Sequence, residues 1–198
     1  MGKIIKSVFD NEQELLKAII KLNGLGSLEP IQLDPMYFKG NFYKEIPRPN
    51  DIYDINPQVS ECRRGDARDL CLPNDWFYSM ILDPPFMFGN HGKQKEYYSS
   101  RTHGILEGFK DLEELYKQIL KEAYRVLKNN GILIFKCQDY TDSKTTMTHC
   151  LVYQWALKQG FYAKDLAILN LPKNKIANSK LNQKHLRKVH SYFWVFQK

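Results

Sequence analysis

Apolar side chains near the start of the chain recur at the spacing of an amphipathic helix. Leu15, Leu16 and Ile19 would share one face of a helix over residues 11–22. Asn11 stands at the position of an N-cap, and two glycines follow the last apolar residue as a stop signal. The pattern therefore predicts a helix over residues 11–22.

Short extended segments that end at turn residues predict strands in the next part of the chain. They lie at about 30–33, ending at Asp34-Pro35; before Asp54; and near 60–64, before Gly65-Asp66. The stretch 35–50 contains Gly40 and two prolines, which interrupt any long helix. About 20 residues separate Asp34 from Asp54, too few for the helix and strand of an ordinary parallel crossover. We therefore expect either a shortened first crossover or different strand positions.

The second half of the chain alternates between strand and helix patterns. Residues 77–82 form a continuous apolar run that stops at two prolines, as a central strand buried on both faces would. Residues 111–128 have helical periodicity, with Asp111 as the expected N-cap and Glu114 completing a capping box. Further predicted segments are a loop over 87–110, a strand over 132–135, a helix over 145–158, and strands over 161–169 and 191–197. This alternation predicts a single α/β domain over residues 1–198 with a mainly parallel sheet.

Size and composition are those of a globular enzyme or binding domain. The chain has 198 residues, of which 43% are hydrophobic, enough for one core. No apolar run approaches the ~20 residues that a bilayer crossing needs, so we expect no membrane partner. The first residues lack the apolar stretch of a signal peptide, which predicts a cytoplasmic protein. The four cysteines lack metal-site spacing and are expected to be reduced thiols.

Positive charge is concentrated in two polar segments. The formal net charge is +7, a balance that favours a polyanionic partner. The segment from Pro172 to His190 contains no acid and six basic residues: Lys173, Lys175, Lys180, Lys184, Arg187 and Lys188. The loop over 87–110 adds the basic side chains Lys93, Lys95 and Arg101 among aromatic residues. Both segments could be solvated loops, but their composition favours contacts with the phosphates of a nucleic acid.

The tetrapeptide Asp83-Pro84-Pro85-Phe86 follows the most apolar predicted strand. Open α/β sheets bind ligands at the carboxyl ends of their strands. Successive prolines fix the backbone, and the Asp83 and Pro84 carbonyls together with the Asp83 carboxylate form a cluster of acceptors. Such a cluster suits a primary amine, and the ring of Phe86 could stack on a planar base.

This tetrapeptide resembles the (Asp/Asn/Ser)-Pro-Pro-(Tyr/Phe/Trp) motif of amino-methyltransferases. The segment from Arg125 to Phe135 is also similar to the helix, turn and strand that follow this motif in class I methyltransferases. The resemblance covers about residues 60–198. It implies a Rossmann-like fold with a C-terminal antiparallel strand, S-adenosylmethionine as cofactor, and methylation of an amino group in a nucleic-acid base. The Asp form most resembles DNA adenine-N6 methyltransferases, with RNA base methylation as the nearest alternative.

The resemblance also implies which residues would bind the cofactor. In the family, a turn after the first strand and acids after the following strands bind the cofactor. The corresponding positions in this chain are Asp34, Gly40, Asp54, Asp66 and Ala67. The sequence departs from the family's glycine-rich motif, since only Gly40 is present. These acids could therefore be turn residues, and the protein a catalytically silent nucleic-acid-binding subunit. Lys136 and Asp139 should border the same pocket.

We expect no separate target-recognition domain in so compact a chain. Sequence specificity would then come from the two basic loops, from a partner protein or from a homodimer, or be absent.

Overall fold

The computed structural model describes residues 4–89, 106–141, 144–171, 184–186 and 188–198. No helix in these ranges has the length and apolar content that a membrane crossing requires. The elements in chain order are β1 (Val8–Phe9), α1 (Glu12–Leu22), β2 (Leu33–Asp34), β3 (Asp51–Asp54), β4 (Arg63–Arg64), β5 (Phe77–Leu82), α2 (Phe109–Val126), β6 (Leu127–Cys137), β7 (Tyr140–Thr141), β8 (Thr145–Thr146), α3 (Thr148–Gln159), β9 (Tyr162–Asn170) and β10 (His190–Gln197).

Eight of the strands form one sheet in the order β1-β9-β10-β6-β5-β2-β3-β4. Strand β10 runs antiparallel to both β6 and β9, and the other neighbouring pairs in this sheet are parallel. Helix α1 packs on one face, and helices α2 and α3 pack on the other. This arrangement confirms the predicted α/β fold with a mainly parallel sheet and an antiparallel C-terminal strand.

Strand β5 occupies the same residues, 77–82, that its apolar run predicted. Its neighbours β2 and β6 are both parallel to it, so it is central in the sheet. Ile81 faces the core under α1, while Met80 and Leu82 face the core under α2. Both faces are covered, which explains the absence of alternating polar residues.

Helix α1 also forms as predicted. The Asn11 side chain accepts hydrogen bonds from the backbone N–H groups of Gln13 at 2.7 Å and Glu14 at 3.3 Å. These bonds satisfy two of the donors that a helix leaves unpaired at its first turn. Leu15 and Leu16 are fully buried against the sheet.

The start of α2 differs from the prediction. Gly108 is the N-cap, and Asp111 lies in the first turn, where its carboxylate accepts the N–H groups of Glu107 at 2.8 Å and Gly108 at 3.1 Å. The predicted N-cap role of Asp111 and capping-box role of Glu114 are therefore wrong. The Asp111 carboxylate reaches back from the first turn and satisfies the same backbone donors. The N-cap therefore lies about one turn earlier in the chain than predicted.

The connection between β2 and β3 is shorter than a usual parallel crossover. Residues 35–50 form consecutive turns without a helix, yet β2 and β3 remain parallel, with Leu33 opposite Asp51. Of the two alternatives expected from the sequence, the structure therefore has the shortened first crossover. The small strands β1, β7 and β8 were not predicted, since two-residue strands leave no periodicity to detect.

Candidate active site

Three predicted acids meet at the carboxyl edge of the sheet. Asp34 and Asp54 are the last residues of β2 and β3, and Asp83 directly follows β5. Strand β2 lies between β3 and β5 and is parallel to both, so the three ends lie side by side. The charges of Asp83 and Asp54 both act on Asp34.

Asp34 is a buried carboxyl group with two hydrogen bonds. It is 2% exposed, and it accepts hydrogen bonds from the Tyr43 hydroxyl at 2.8 Å and the Met36 N–H at 3.0 Å. Burial raises its pKa from 3.8 to about 7, against the lowering effect of those bonds and with a further increase from Asp83 and Asp54. A cation bound nearby would stabilise the ionised form.

Asp54 fastens the turn after β2 to the end of β3. One carboxylate oxygen accepts the Phe38 N–H at 2.8 Å, and the other accepts the Asn56 N–H at 2.9 Å. Phe38 has a φ of +50°, a left-handed conformation that is unfavourable for a residue with a side chain. The hydrogen bond from Phe38 to a buried carboxylate helps to offset that cost.

Gly40 lies in the same turn, where a glycine is required. Its φ is +68°, and a Cβ atom at this position would overlap the Tyr37 hydroxyl. The Tyr37 ring is stacked on that of Tyr43, with centroids 5.6 Å apart. The structure therefore accounts for this glycine by packing within the turn, and its predicted role in cofactor binding remains a prediction.

Asp66 and Ala67 follow β4 at the outer side of the same edge. Arg68 binds the Asp66 carboxylate through Nε at 3.0 Å and Nη2 at 2.6 Å, while Ala67 is buried. The Asp54 carbonyl accepts a hydrogen bond from the Gly65 N–H at 3.0 Å, which joins this turn to β3. Asp66 therefore follows the strand next to that of Asp54, and its role in cofactor binding remains a prediction.

The prolines of the Asp83-Pro84-Pro85-Phe86 segment are buried, and Asp83 and Phe86 are half-buried. The fully buried Tyr116 of α2 donates its hydroxyl hydrogen to the Pro85 carbonyl at 3.0 Å. This bond anchors the Asp83-Pro84-Pro85-Phe86 segment, a rigid corner after β5, to helix α2. The sequence does not reveal this anchor, because Tyr116 is indistinguishable there from the other apolar positions of α2.

Lys136 brings a positive charge to Asp83. Its Nζ lies 3.7 Å from Asp83 Oδ2 and 2.9 Å from Glu12 Oε1. In the β5–β6 ladder Leu82 is opposite Phe135, so Asp83 and Lys136 are the next positions along the two strands. This contact shows that Lys136 lies beside Asp83, and its place in the wall of a pocket remains a prediction.

Asp139 lies beyond the end of β6 and organises a group of polar rings. It is buried, and its carboxylate contacts His149 Nδ1 at 2.7 Å and accepts the Tyr192 hydroxyl at 3.4 Å. The rings of His149 and Tyr192 are stacked 4.1 Å apart. Sequence analysis missed both partners, since they come from α3 and β10.

The predicted basic residues are only partly within the described ranges. Lys184 is exposed, and the Lys188 carbonyl accepts a hydrogen bond from Gln138 Nε2 at 3.4 Å, near the end of β6. The remaining ones lie outside the described residues: Lys93, Lys95, Arg101, Lys173, Lys175, Lys180 and Arg187. Nucleic-acid contacts by these basic residues remain a prediction.

Solved structures share this architecture. A methyltransferase from Methanosarcina mazei that depends on S-adenosylmethionine is 12% identical, with a TM-score of 0.51 over 90% of this chain and 96% of that one. TrmN from Thermus thermophilus is 17% identical, with a TM-score of 0.50 over 93% of this chain and 48% of that one. The protein therefore has the fold of S-adenosylmethionine-dependent methyltransferases.

The sequence of residues 79–198 matches the DNA methylase family of N6 and N4 enzymes, and the chain belongs to that family. TTHA0409, a candidate DNA modification methylase from Thermus thermophilus, is 16% identical, with a TM-score of 0.48 over 68% of this chain and 52% of that one. The chain thus spans about half the length of that protein. No curated protein matches the sequence.

Proposed function

We propose that the protein methylates an exocyclic amino group of a nucleic-acid base, with S-adenosylmethionine as donor and adenine N6 in DNA as acceptor. The observation that carries the proposal is the Asp83-Pro84-Pro85-Phe86 corner at the carboxyl end of the central strand. Membership in the DNA methylase family supports a base amino group in DNA. The family includes both N6 and N4 enzymes, and the aspartate of this motif is what favours adenine.

The acids at the strand ends fit the proposed cofactor. S-Adenosylmethionine combines a sulfonium and an ammonium group with ribose hydroxyls and an adenine ring. The buried carboxyls of Asp34 and Asp54 offer acceptors for such a ligand, with Asp66 and Ala67 beside them. Asp34 has a pKa of about 7 because ionisation is costly there, and a cationic ligand would reduce that cost. When bound, the cofactor supplies an electrophilic methyl group.

The corner itself would orient the acceptor amine. The Asp83 carboxylate and the Pro84 carbonyl accept its two hydrogens, which leaves the nitrogen lone pair directed away from the protein backbone. The proline rings and the hydrogen bond from Tyr116 to Pro85 keep these acceptors in place. Asp83 is also the group positioned to receive the proton that the amine loses. The ring of Phe86 provides an apolar surface on which the base stacks.

The substrate must present its base outside the helical stack, because the amine is otherwise inaccessible. The net charge of +7 supports binding of the phosphate backbone. RNA offers the same phosphates and the same adenine amine, so it is the nearest rival substrate.

A silent nucleic-acid-binding subunit is the second candidate function. It is favoured by one observation, that the single glycine of the cofactor motif, Gly40, is covered by Tyr37. Titration calorimetry with S-adenosylmethionine separates the two candidates, because a silent subunit would release no heat of binding.

Mass spectrometry of nucleosides tests the proposed reaction. Purified protein would be incubated with S-adenosylmethionine and with duplex DNA, single-stranded DNA or RNA, and the products digested to nucleosides. We expect N6-methyladenine from DNA. N4-methylcytosine would contradict the adenine assignment, and modification of RNA alone would contradict the DNA assignment.

Asp83→Ala tests the catalytic assignment in the same assay. We expect turnover to fall by about 100-fold or more, because an oriented acceptor of the amine hydrogens is lost. Asp75→Ala is the matched control, since Asp75 is also ion-paired to a lysine, at 2.7 Å from Lys198 Nζ, but lies before β5 at the opposite edge. Equal turnover in Asp83→Ala and Asp75→Ala would reject the role of Asp83.

A further inference from the structure

Lys136 links two carboxylates that come from different parts of the fold. Glu12 is the first residue of α1, and Asp83 begins the segment after β5. The Lys136 ammonium lies 2.9 Å from the first and 3.7 Å from the second, and its side chain is 20% exposed. The lysine therefore sits between the outer helix and the proposed catalytic corner.

Aromatic rings hold the ammonium group in this place. Lys136 Nζ is 4.9 Å from the centroid of the Phe42 ring and 5.5 Å from that of Phe193. Both phenylalanines are buried in the core under α1, so their positions are fixed. Rings at these distances attract a cation and restrict the rotation of the side chain.

Repulsion among the acids at the carboxyl edge of the sheet makes the position of Lys136 important for Asp83. Asp34 and Asp83 interact unfavourably as like charges, as do Asp34 and Asp54. Without a nearby cation, this repulsion would turn the Asp83 carboxylate away from its neighbours. Lys136 opposes that rotation because its ammonium attracts the carboxylate toward β6.

We propose that Lys136 is a positioning residue, which holds the ionised Asp83 carboxylate in the orientation that receives the amino group of the substrate base. The inference rests on the proposed function, since it assigns to Lys136 an effect exerted through Asp83. Lys136 does not itself contact the amine in this arrangement.

A purely structural role for Lys136 makes a different prediction. Its contact with Glu12 is the shorter one, so the lysine could serve only to tether the start of α1 to the sheet. In that case Glu12→Gln would impair the protein as much as Lys136→Met does. If Lys136 acts on Asp83, Glu12→Gln retains the important ion pair and turnover stays near that of the wild type.

Kinetics with four variants separate these roles. For Lys136→Met we expect kcat to fall by about 10-fold or more, with the KM for DNA within about 2-fold of the wild type. Lys136→Arg should recover most of kcat, and Glu12→Gln should stay within about 3-fold of the wild type. Lys198→Met is the matched control, because Lys198 also pairs with an aspartate and lies 4.6 Å from the ring centroid of Tyr124. Loss of turnover in Glu12→Gln equal to that in Lys136→Met would overturn the proposal.

A spectroscopic measurement tests the ion pair independently of methylation. The ¹³C resonance of the Asp83 carboxyl carbon, recorded at constant pH, should move in Lys136→Met and keep its wild-type position in Lys198→Met. An unchanged resonance in Lys136→Met would overturn the inference even if the wild type methylates DNA. Conversely, a shifted resonance in a protein that methylates no base would reject the proposed function and retain the contact between Lys136 and Asp83.

Discussion

Asp34→Asn should make the protein more stable at alkaline pH. Asp34 is 2% exposed, and burial raises the pKa of its carboxyl group from 3.8 to about 7. A group whose pKa is raised by folding contributes its full stability below about pH 3.8, where it is protonated in both states. That contribution is lost as the pH rises from about 3.8 through about 7, because the carboxyl group ionises freely in the unfolded state but stays protonated in the buried site.

The size of this effect follows from the two pKa values. Their difference is about 3, and at about 1.4 kcal/mol for each pKa unit the ionisation of Asp34 costs the fold about 4 kcal/mol. Of this amount, roughly 2–3 kcal/mol is lost between about pH 5 and about pH 8. An asparagine keeps the shape and removes the charge. Its amide can accept the Met36 N–H and donate to the Tyr43 hydroxyl oxygen, so both contacts are retained.

Urea denaturation across this pH range measures the prediction. The buried Trp155 is a suitable fluorescence probe of unfolding. The difference in free energy of unfolding between Asp34→Asn and the wild type should grow by roughly 2–3 kcal/mol from about pH 5 to about pH 8. Titrating groups that do not interact with Asp34 affect both proteins alike, so the difference reports Asp34 together with its coupling to Asp54 and Asp83. A difference that does not change with pH would refute the assignment of a raised pKa.

Two further substitutions test the loops that form the site. Tyr116→Phe removes the hydrogen bond to the Pro85 carbonyl and should lower the free energy of unfolding by about 1–2 kcal/mol in urea denaturation. It should also lower kcat with little change in KM, and an unchanged kcat would show that the corner needs no such anchor. Gly40→Ala should cost about 2 kcal/mol more than Gly24→Ala, because Gly24 has a similar φ of +61° but open space around it. Equal losses of stability would show that packing does not require this glycine.

Local patterns in the sequence predicted the elements that depend on local interactions. The Asn11 cap and the apolar run of β5 were correct because a cap needs only the next few residues and a buried strand needs only its own side chains. The acids at the ends of β2, β3 and β5 were also predictable, since parallel strands bring their carboxyl ends to one edge.

Contacts between distant segments were not predictable in the same way. Tyr116 and Pro85 are 31 residues apart, and Lys136 and Glu12 are 124 residues apart. No periodicity distinguishes such residues from ordinary core or surface positions. The displaced start of α2 has a different cause, because an aspartate can satisfy the same N–H groups from the N-cap or from the first turn.

The short crossover after β2 has a consequence for the proposed cofactor site. An ordinary crossover helix would present free N–H groups at its first turn, and residues 35–50 form no such helix. The turn is instead held by side chains, since Tyr43 donates to Asp34 and the Phe38 N–H donates to Asp54. The two acids proposed to receive the cofactor therefore also hold the turn in place. Because the same oxygens would serve both tasks in the proposed site, substitution of Asp54 should disturb the turn and the cofactor site together, whereas Asp34→Asn can preserve the turn while removing the charge.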